Sequence, residues 1–130
     1  MHLDHFGYIT DSIQDTTSTF QALGYAAEPV VDFPAHRCHI TFLRKEGEPA
    51  IELVEPYEDN KSLRKLLKNG VTPYHLCYEV SNIHQSCDEL VNQGYLQLSQ
   101  PLPAPAFGNR LICYLWHRTT GYIELLEKKH

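Results

Sequence analysis

The sequence predicts an α+β protein built from two βαβββ modules. The first observation behind this is an internal repeat. His5-Phe6-Gly7-Tyr8-Ile9-Thr10 is matched at an offset of 70 by His75-Leu76-Cys77-Tyr78-Glu79-Val80, and Ile13 and Gly24-Tyr25 are matched by Ile83 and Gly94-Tyr95. At an offset of 72, Phe42-Leu43 meets Tyr114-Leu115, and Ile51-Glu52-Leu53-Val54-Glu55 meets Ile123-Glu124-Leu125-Leu126-Glu127. A long repeat means one structural unit used twice. The second observation is that each copy opens with a strand-like run followed by one helix at apolar 3.6 spacing. The third is that three short β-rich runs then follow each helix.

The elements follow in order. Leu3 to Ile9 mixes β-branched and aromatic residues and reads as a strand. Asp11 or Ser12 then caps a helix carrying Ile13, Phe20 and Leu23 on one face, and Gly24 stops it. The second copy has Ser81 or Asn82 as cap, then Ile83, Cys87, Leu90 and Val91, then Gly94. Strands are predicted over Ala26–Val31, His39–Arg44 and Ala50–Glu55, and over Leu96–Ser99, Leu111–Trp116 and Tyr122–Glu127. Turn signals at Glu46-Gly47-Glu48-Pro49 and Arg118-Thr119-Thr120-Gly121 separate the last two strands of each copy. Between the copies, Ser62 to Leu67 reads as a short helix closed by Asn69-Gly70. The expected organisation is one domain, 1–130, of repeats 1–56 and 71–130 joined by a linker helix in 57–70. Pro101-Leu102-Pro103-Ala104-Pro105-Ala106 reads as a stiff, extended rim loop.

Composition narrows the partners. The chain has 130 residues, 42% apolar and 21% charged, as a single globular domain has. The net charge of −5 and the lack of a basic run argue against nucleic acid, whose phosphates need clustered cations. Lys61, Arg64, Lys65 and Lys68 read as a solvated helix face. No stretch approaches the roughly 20 apolar residues of a membrane span, and no charged-then-apolar leader opens the sequence. Cys38, Cys77, Cys87 and Cys113 show no C-x-x-C spacing and read as reduced core residues, so a cytoplasmic protein is expected.

The repeat also copies a histidine and a glutamate: His5 with Glu52, and His75 with Glu124. Imidazole plus carboxylate is a ligand set for divalent metals. Strand alternation puts His5 with Gly7 and Ile9, opposite Phe6 and Tyr8; it puts His75 with Cys77, opposite Leu76, Tyr78 and Val80. Glu52 and Glu124 each lie between two apolar neighbours that fit a core under the helices, so the carboxylates point the other way. Burying two carboxylates together is costly without a cation. His36, His39 and His117 are candidate proton carriers. His2, His84 and His130 read as surface residues, and Glu55 and Glu127 as strand-end surface groups.

These runs resemble the vicinal oxygen chelate superfamily, which includes glyoxalase I, methylmalonyl-CoA epimerases, bleomycin-resistance proteins and extradiol dioxygenases. The epimerase branch is nearest. Ile51-Glu52-Leu53-Val54-Glu55-Pro56, Ser62 to Gly70, Tyr74 to Val80 and Gly121 to Glu127 carry the resemblance. It implies a curved mixed sheet around a metal-binding cleft, the glyoxalase-like fold. It also implies a divalent ion (Zn, Ni, Co, Mn or Fe) on His5, Glu52, His75 and Glu124, and a homodimer. The implied activity is metal-dependent isomerase, epimerase or lyase chemistry: proton transfer α to a carbonyl of a small molecule such as an acyl thioester, with Glu124 or Glu52 as base and His36 or His39 assisting. In the epimerases a Pro-Glu-Gln stretch supplies a base; Pro34-Ala35-His36 stands there instead, with no Asp or Glu between Phe33 and Arg44. The alternative is a sequestering protein of the bleomycin-resistance type, which is disfavoured by the complete ligand set. A dioxygenase ranks last, because a fourth protein ligand crowds an oxygen site.

Overall fold

The computed structural model describes residues 1–129, so His130, expected at the surface, lies outside the described residues. Among the described residues, three α-helices and ten strands form. The chain divides into two compact units: His5–Tyr74, and His75 onward together with Met1–Asp4.

Strand β1 (His2–Ile9), which belongs to the first unit from His5 on, leads to helix α1 (Ile13–Gln21). Strands β2 (Ala26–Ala27), β3 (Val31–Phe33), β4 (Cys38–Arg44) and β5 (Ala50–Pro56) follow. Both β2 and β3 pair antiparallel with β4, β4 pairs antiparallel with β5, and β5 pairs parallel with β1. Helix α2 (Lys61–Lys68) belongs to this unit. Its cap, Asn60, is buried and donates through Nδ2 to the carbonyls of His36 and Arg37, both at 3.0 Å. Arg64, expected on a solvated face, instead donates to the carbonyls of Pro56 and Tyr57 at 2.7 and 3.3 Å.

The second unit repeats the plan with β6 (His75–Val80), α3 (Ile83–Asn92), β7 (Leu96–Gln97), β8 (Leu102–Ala104), β9 (Arg110–His117) and β10 (Gly121–Glu127). Strands β7 and β8 pair with β9, β9 with β10, and β10 runs parallel to β6. Each module therefore has the expected βαβββ order, with the first strand after its helix broken in two. A proline lies in each gap: Pro29 between β2 and β3, and Pro101 between β7 and β8, where its missing N–H cannot carry the ladder on. Pro103 sits on a strand that pairs through one edge with β9, where a missing N–H is tolerated. Pro34 and Pro105 each start a 3₁₀ turn. The stretch expected as a loop is thus half strand and half turn.

Ser12 and Asn82 are the helix caps, accepting from the Asp15 and Gln85 amides at 3.1 Å. A second cap was not foreseen. Glu55 Oε1 accepts from Ile13 N at 2.9 Å, and Glu127 Oε2 accepts from Ile83 N at 3.1 Å. These half-buried carboxylates are not idle surface groups. Each ties the closing strand of its module to a helix N-terminus, where the peptide dipoles favour negative charge.

One core lies under α1 and another under α3. Ile13, Leu43, Ile51 and Leu53 form the first, with Phe6, Tyr8, Phe20 and Tyr25 against it. Val80, Ile83, Cys87, Cys113, Leu115, Ile123 and Leu125 form the second, with Leu76, Tyr78, Leu90, Tyr95 and Leu111. All four cysteines are buried. No helix among the described residues is long and apolar enough to cross a membrane.

Candidate active site

In the first module, β1 and β5 lie side by side with Gly7 opposite Glu52. His5 and Glu52 then share the face turned away from α1, because Phe6, Ile51 and Leu53 occupy the helix side. His5 Nε2 stands 3.5 Å from Glu52 Oε1, and the two residues are 0% and 2% exposed. The Phe42 ring meets the His5 imidazole edge-on, with centroids 5.3 Å apart.

The second module reproduces this on β6 and β10, where Cys77 is opposite Glu124. His75 Nε2 stands 3.2 Å from Glu124 Oε1, and both residues are buried. Tyr114 takes the part of Phe42, edge-on to His75 at 5.3 Å. The rings holding the imidazoles were visible in the repeat as the Phe42/Tyr114 match, but periodicity alone gave them no role.

Both His–Glu contacts are longer than the 2.7–2.9 Å of a tight charge-assisted hydrogen bond. Imidazole and carboxylate therefore share a direction without being locked to each other. In each module the donor set is one ring nitrogen and one carboxylate oxygen, shut away from water. That is the chemistry of a site for a first-row divalent ion.

The other candidates lie elsewhere. His39 neighbours Ile40 on β4 and lines the helix side with Thr41, beneath Ile13 and Gln14 of α1. Phe42, which touches His5, is on the opposite face. His39 therefore does not share a face with the His5–Glu52 pair. Its Nδ1 is 3.3 Å from Asp32 Oδ1, and its ring tilts against Tyr57. Tyr57 donates to the same Asp32 carboxylate, which pushes the phenol pKa up to about 12. His36 stacks on Phe33 with centroids 4.3 Å apart, in the 3₁₀ turn that contains Ala35. His117 is bound at 2.8 Å to Thr119 and leans on Tyr95, on the helix side of the second module. His2 and His84 are exposed. In the second core, burial pushes the Cys113 thiol up to about 12 and raises Cys87 as well, so neither is poised as a nucleophile.

Comparison with known families decides the affiliation. Residues 4–114 match the Glyoxalase/Bleomycin resistance protein/Dioxygenase superfamily. The chain belongs to that superfamily. Among curated proteins, none matches this sequence. Solved structures of similar shape are numerous. A hypothetical protein from Bacillus halodurans C-125 is 25% identical, with a TM-score of 0.82 over 98% of this chain and 94% of that one. Methylmalonyl-CoA epimerase from Mycobacterium tuberculosis is 21% identical, with a TM-score of 0.84 over 99% and 89%. The Streptomyces coelicolor epimerase in complex with 2-nitronate-propionyl-CoA is 18% identical, with a TM-score of 0.83 over 100% and 99%. The glyoxalase-like fold expected from the sequence is therefore the fold of this superfamily member.

Proposed function

We propose that His5, Glu52, His75 and Glu124 together hold one divalent ion, and that the protein is an enzyme transferring a proton α to a carbonyl. The observation that carries this reading is the duplication of a buried His–Glu pair, with the same strand register and the same ring support in both modules. One such pair is an ordinary structural contact. Two, in a superfamily whose members resemble metal-dependent isomerases and lyases, support a shared ligand set. A bound divalent ion supplies a Lewis acid that polarises a carbonyl and acidifies the neighbouring C–H.

The chain's own residues do the rest. Glu124 is the favoured base. Its carboxylate is 1% exposed, and a desolvated carboxylate is a stronger proton acceptor than a hydrated one. Glu52 is the symmetric second choice. Ala35 offers nothing where the resemblance puts a base, and His39 faces α1. The epimerases of similar fold make an acyl thioester the first substrate class to try, with hemithioacetals next. A homodimer and a cytoplasmic location belong to the same reading.

The test has two parts. Protein purified without chelators should contain about one divalent ion per chain. Replacing both His5 and His75 by Ala should release it. Deuterium incorporation at the α-carbon should then be followed over a panel of acyl thioesters and hemithioacetals. Glu124→Gln should slow exchange by about 10²-fold or more. No metal above background, or metal retained by the double variant, sinks the ligand assignment. Tight metal-free binding of a small molecule without exchange replaces the enzyme by the sequestering alternative.

A further inference from the structure

The first module contains a hollow of about 480 Å³ between α1 and β4. Thr17 and Gln21 of α1, His39 and Thr41 of β4, Glu55 of β5 and Val30 are among the residues that line it, and it opens to solvent. Its size lies within the range of about 300–1,000 Å³ typical of small-molecule sites. It lies on the helix side of β4, whereas His5 contacts Phe42 on the other side. It is therefore a different place from the proposed metal site.

The repeat shows that the hollow is not what this architecture produces by default. At the matched positions the second module has Cys87, Val91, Leu111 and Cys113 in place of Thr17, Gln21, His39 and Thr41. There, Cys87, Leu111 and Cys113 belong to one packed core. A helix docks on a sheet by burying apolar surface. Putting hydroxyls and an imidazole in that seam gives up the gain. Local departures from such rules concentrate where a protein binds something.

The chemistry of the lining selects the ligand. Two carboxylates, Glu28 and Glu55, border the hollow, and neither lysine nor arginine lines it. Glu28 is paired with Arg44 at 3.0 Å. Glu55 uses Oε1 to cap Ile13, which leaves Oε2 as an acceptor. His39 is oriented by Asp32 through Nδ1, so its Nε2 is the ring atom left for a ligand. An anion would meet carboxylate and no lining cation. A purely apolar molecule would strand the polar groups. An ammonium head on a short alkyl chain satisfies both sets, with the carbon chain against Ile13, Ala27 and Val30.

We infer that this hollow is a binding site for a small alkylammonium compound. The probe is n-butylamine, titrated into the full-length protein, with n-butanol and butyrate as controls. Amide chemical shifts are the readout. Butylamine should give saturable shifts at Thr17, Gln21, Val30 and Thr41, butanol much smaller ones, and butyrate none. Glu55→Gln keeps an acceptor for the Ile13 amide but removes the charge, and should weaken binding about tenfold. Thr17→Leu narrows the hollow and replaces a hydroxyl by an apolar group, and should weaken the shifts while circular dichroism stays unchanged. The inference is overturned by butylamine shifts that do not saturate through the millimolar range. It is equally overturned by butyrate acting like butylamine, or by binding that neither variant weakens.

Discussion

In both modules a buried histidine on the opening strand stands beside a buried glutamate on the closing strand. In both, an aromatic ring meets the histidine edge-on at 5.3 Å. On the other face of the same strands the modules part. Under α3 the seam is a packed apolar cluster. Under α1 it carries Thr17, His39 and Thr41 and opens into a hollow. Even the local hydrogen bonds show the change of chemistry on a common frame. Thr41 Oγ1 donates to the Glu28 carbonyl at 2.7 Å, and the matched Cys113 thiol donates to the Ser99 carbonyl at 3.2 Å. The lesson is that the two faces of a duplicated unit diverge separately. The His–Glu pairs and their rings match from one module to the other, whereas the helix–sheet seams do not.

The largest expected difference is in the cores. Leu43 and Leu115 are matched positions, and both are fully buried. Leu→Ala in a core costs about 2–5 kcal/mol, more where the surroundings cannot close on the cavity. Leu115 is enclosed by the larger cluster, so Leu115→Ala should fall near the top of that range. Leu43 lies beside the softer, hollow seam, so Leu43→Ala should cost about 2–3 kcal/mol. Urea unfolding midpoints of the two variants measure this. Equal losses would mean that the hollow does not loosen the first core.

The caps should show the opposite result, because here the modules agree. Glu55 and Glu127 hold the first amide of α1 and α3 in the same way. Replacing either by Ala removes an N-terminal acceptor, worth about 0.5–2 kcal/mol. The two losses should lie within about 0.5 kcal/mol of each other. A cap that costs nothing in one module would break the equivalence, and the same unfolding experiment reads it.

Much of this was legible in the sequence for a physical reason. Apolar period and a 70–72 residue offset survive because they report burial, and burial decides which residues pair. His5, Glu52, His75 and Glu124 could be picked out because each occurs twice in the same setting. Ser12 and Asn82 could be narrowed to caps because short polar side chains compete for backbone amides. The caps Glu55 and Glu127 could not, because the bond reaches 42 and 44 residues back along the chain. The face of His39 was also hidden. Its strand begins at Cys38, after a left-handed Arg37 (φ 55°), and the phase of alternation on β4 is set by where that turn ends.

The smallest effect concerns a network found in one module alone. Tyr57, Asp32 and His39 have Lys129, Ala104 and Leu111 at the positions 72 residues on, which cannot rebuild it. The hydrogen bond to Asp32 is the main cause that raises the Tyr57 phenol to about 12, followed by burial. Tyr57 should therefore give a late step in a phenolate absorbance titration. Tyr57→Phe should delete that step, and Asp32→Asn should move it toward the ordinary value of about 10. The sign for stability follows from the same shift. The folded value lies above the unfolded one, so the protonated phenol is favoured by folding. Its contribution is complete below pH of about 10 and disappears as the pH rises through about 12. The stability gap between the wild type and Tyr57→Phe should be small at neutral pH, because the group is exposed to solvent, and should close across that window. A titration in which Tyr57→Phe removes an ordinary tyrosine step instead would show that Asp32 does not hold the phenol, and the asymmetry between the modules would then rest on the seam alone.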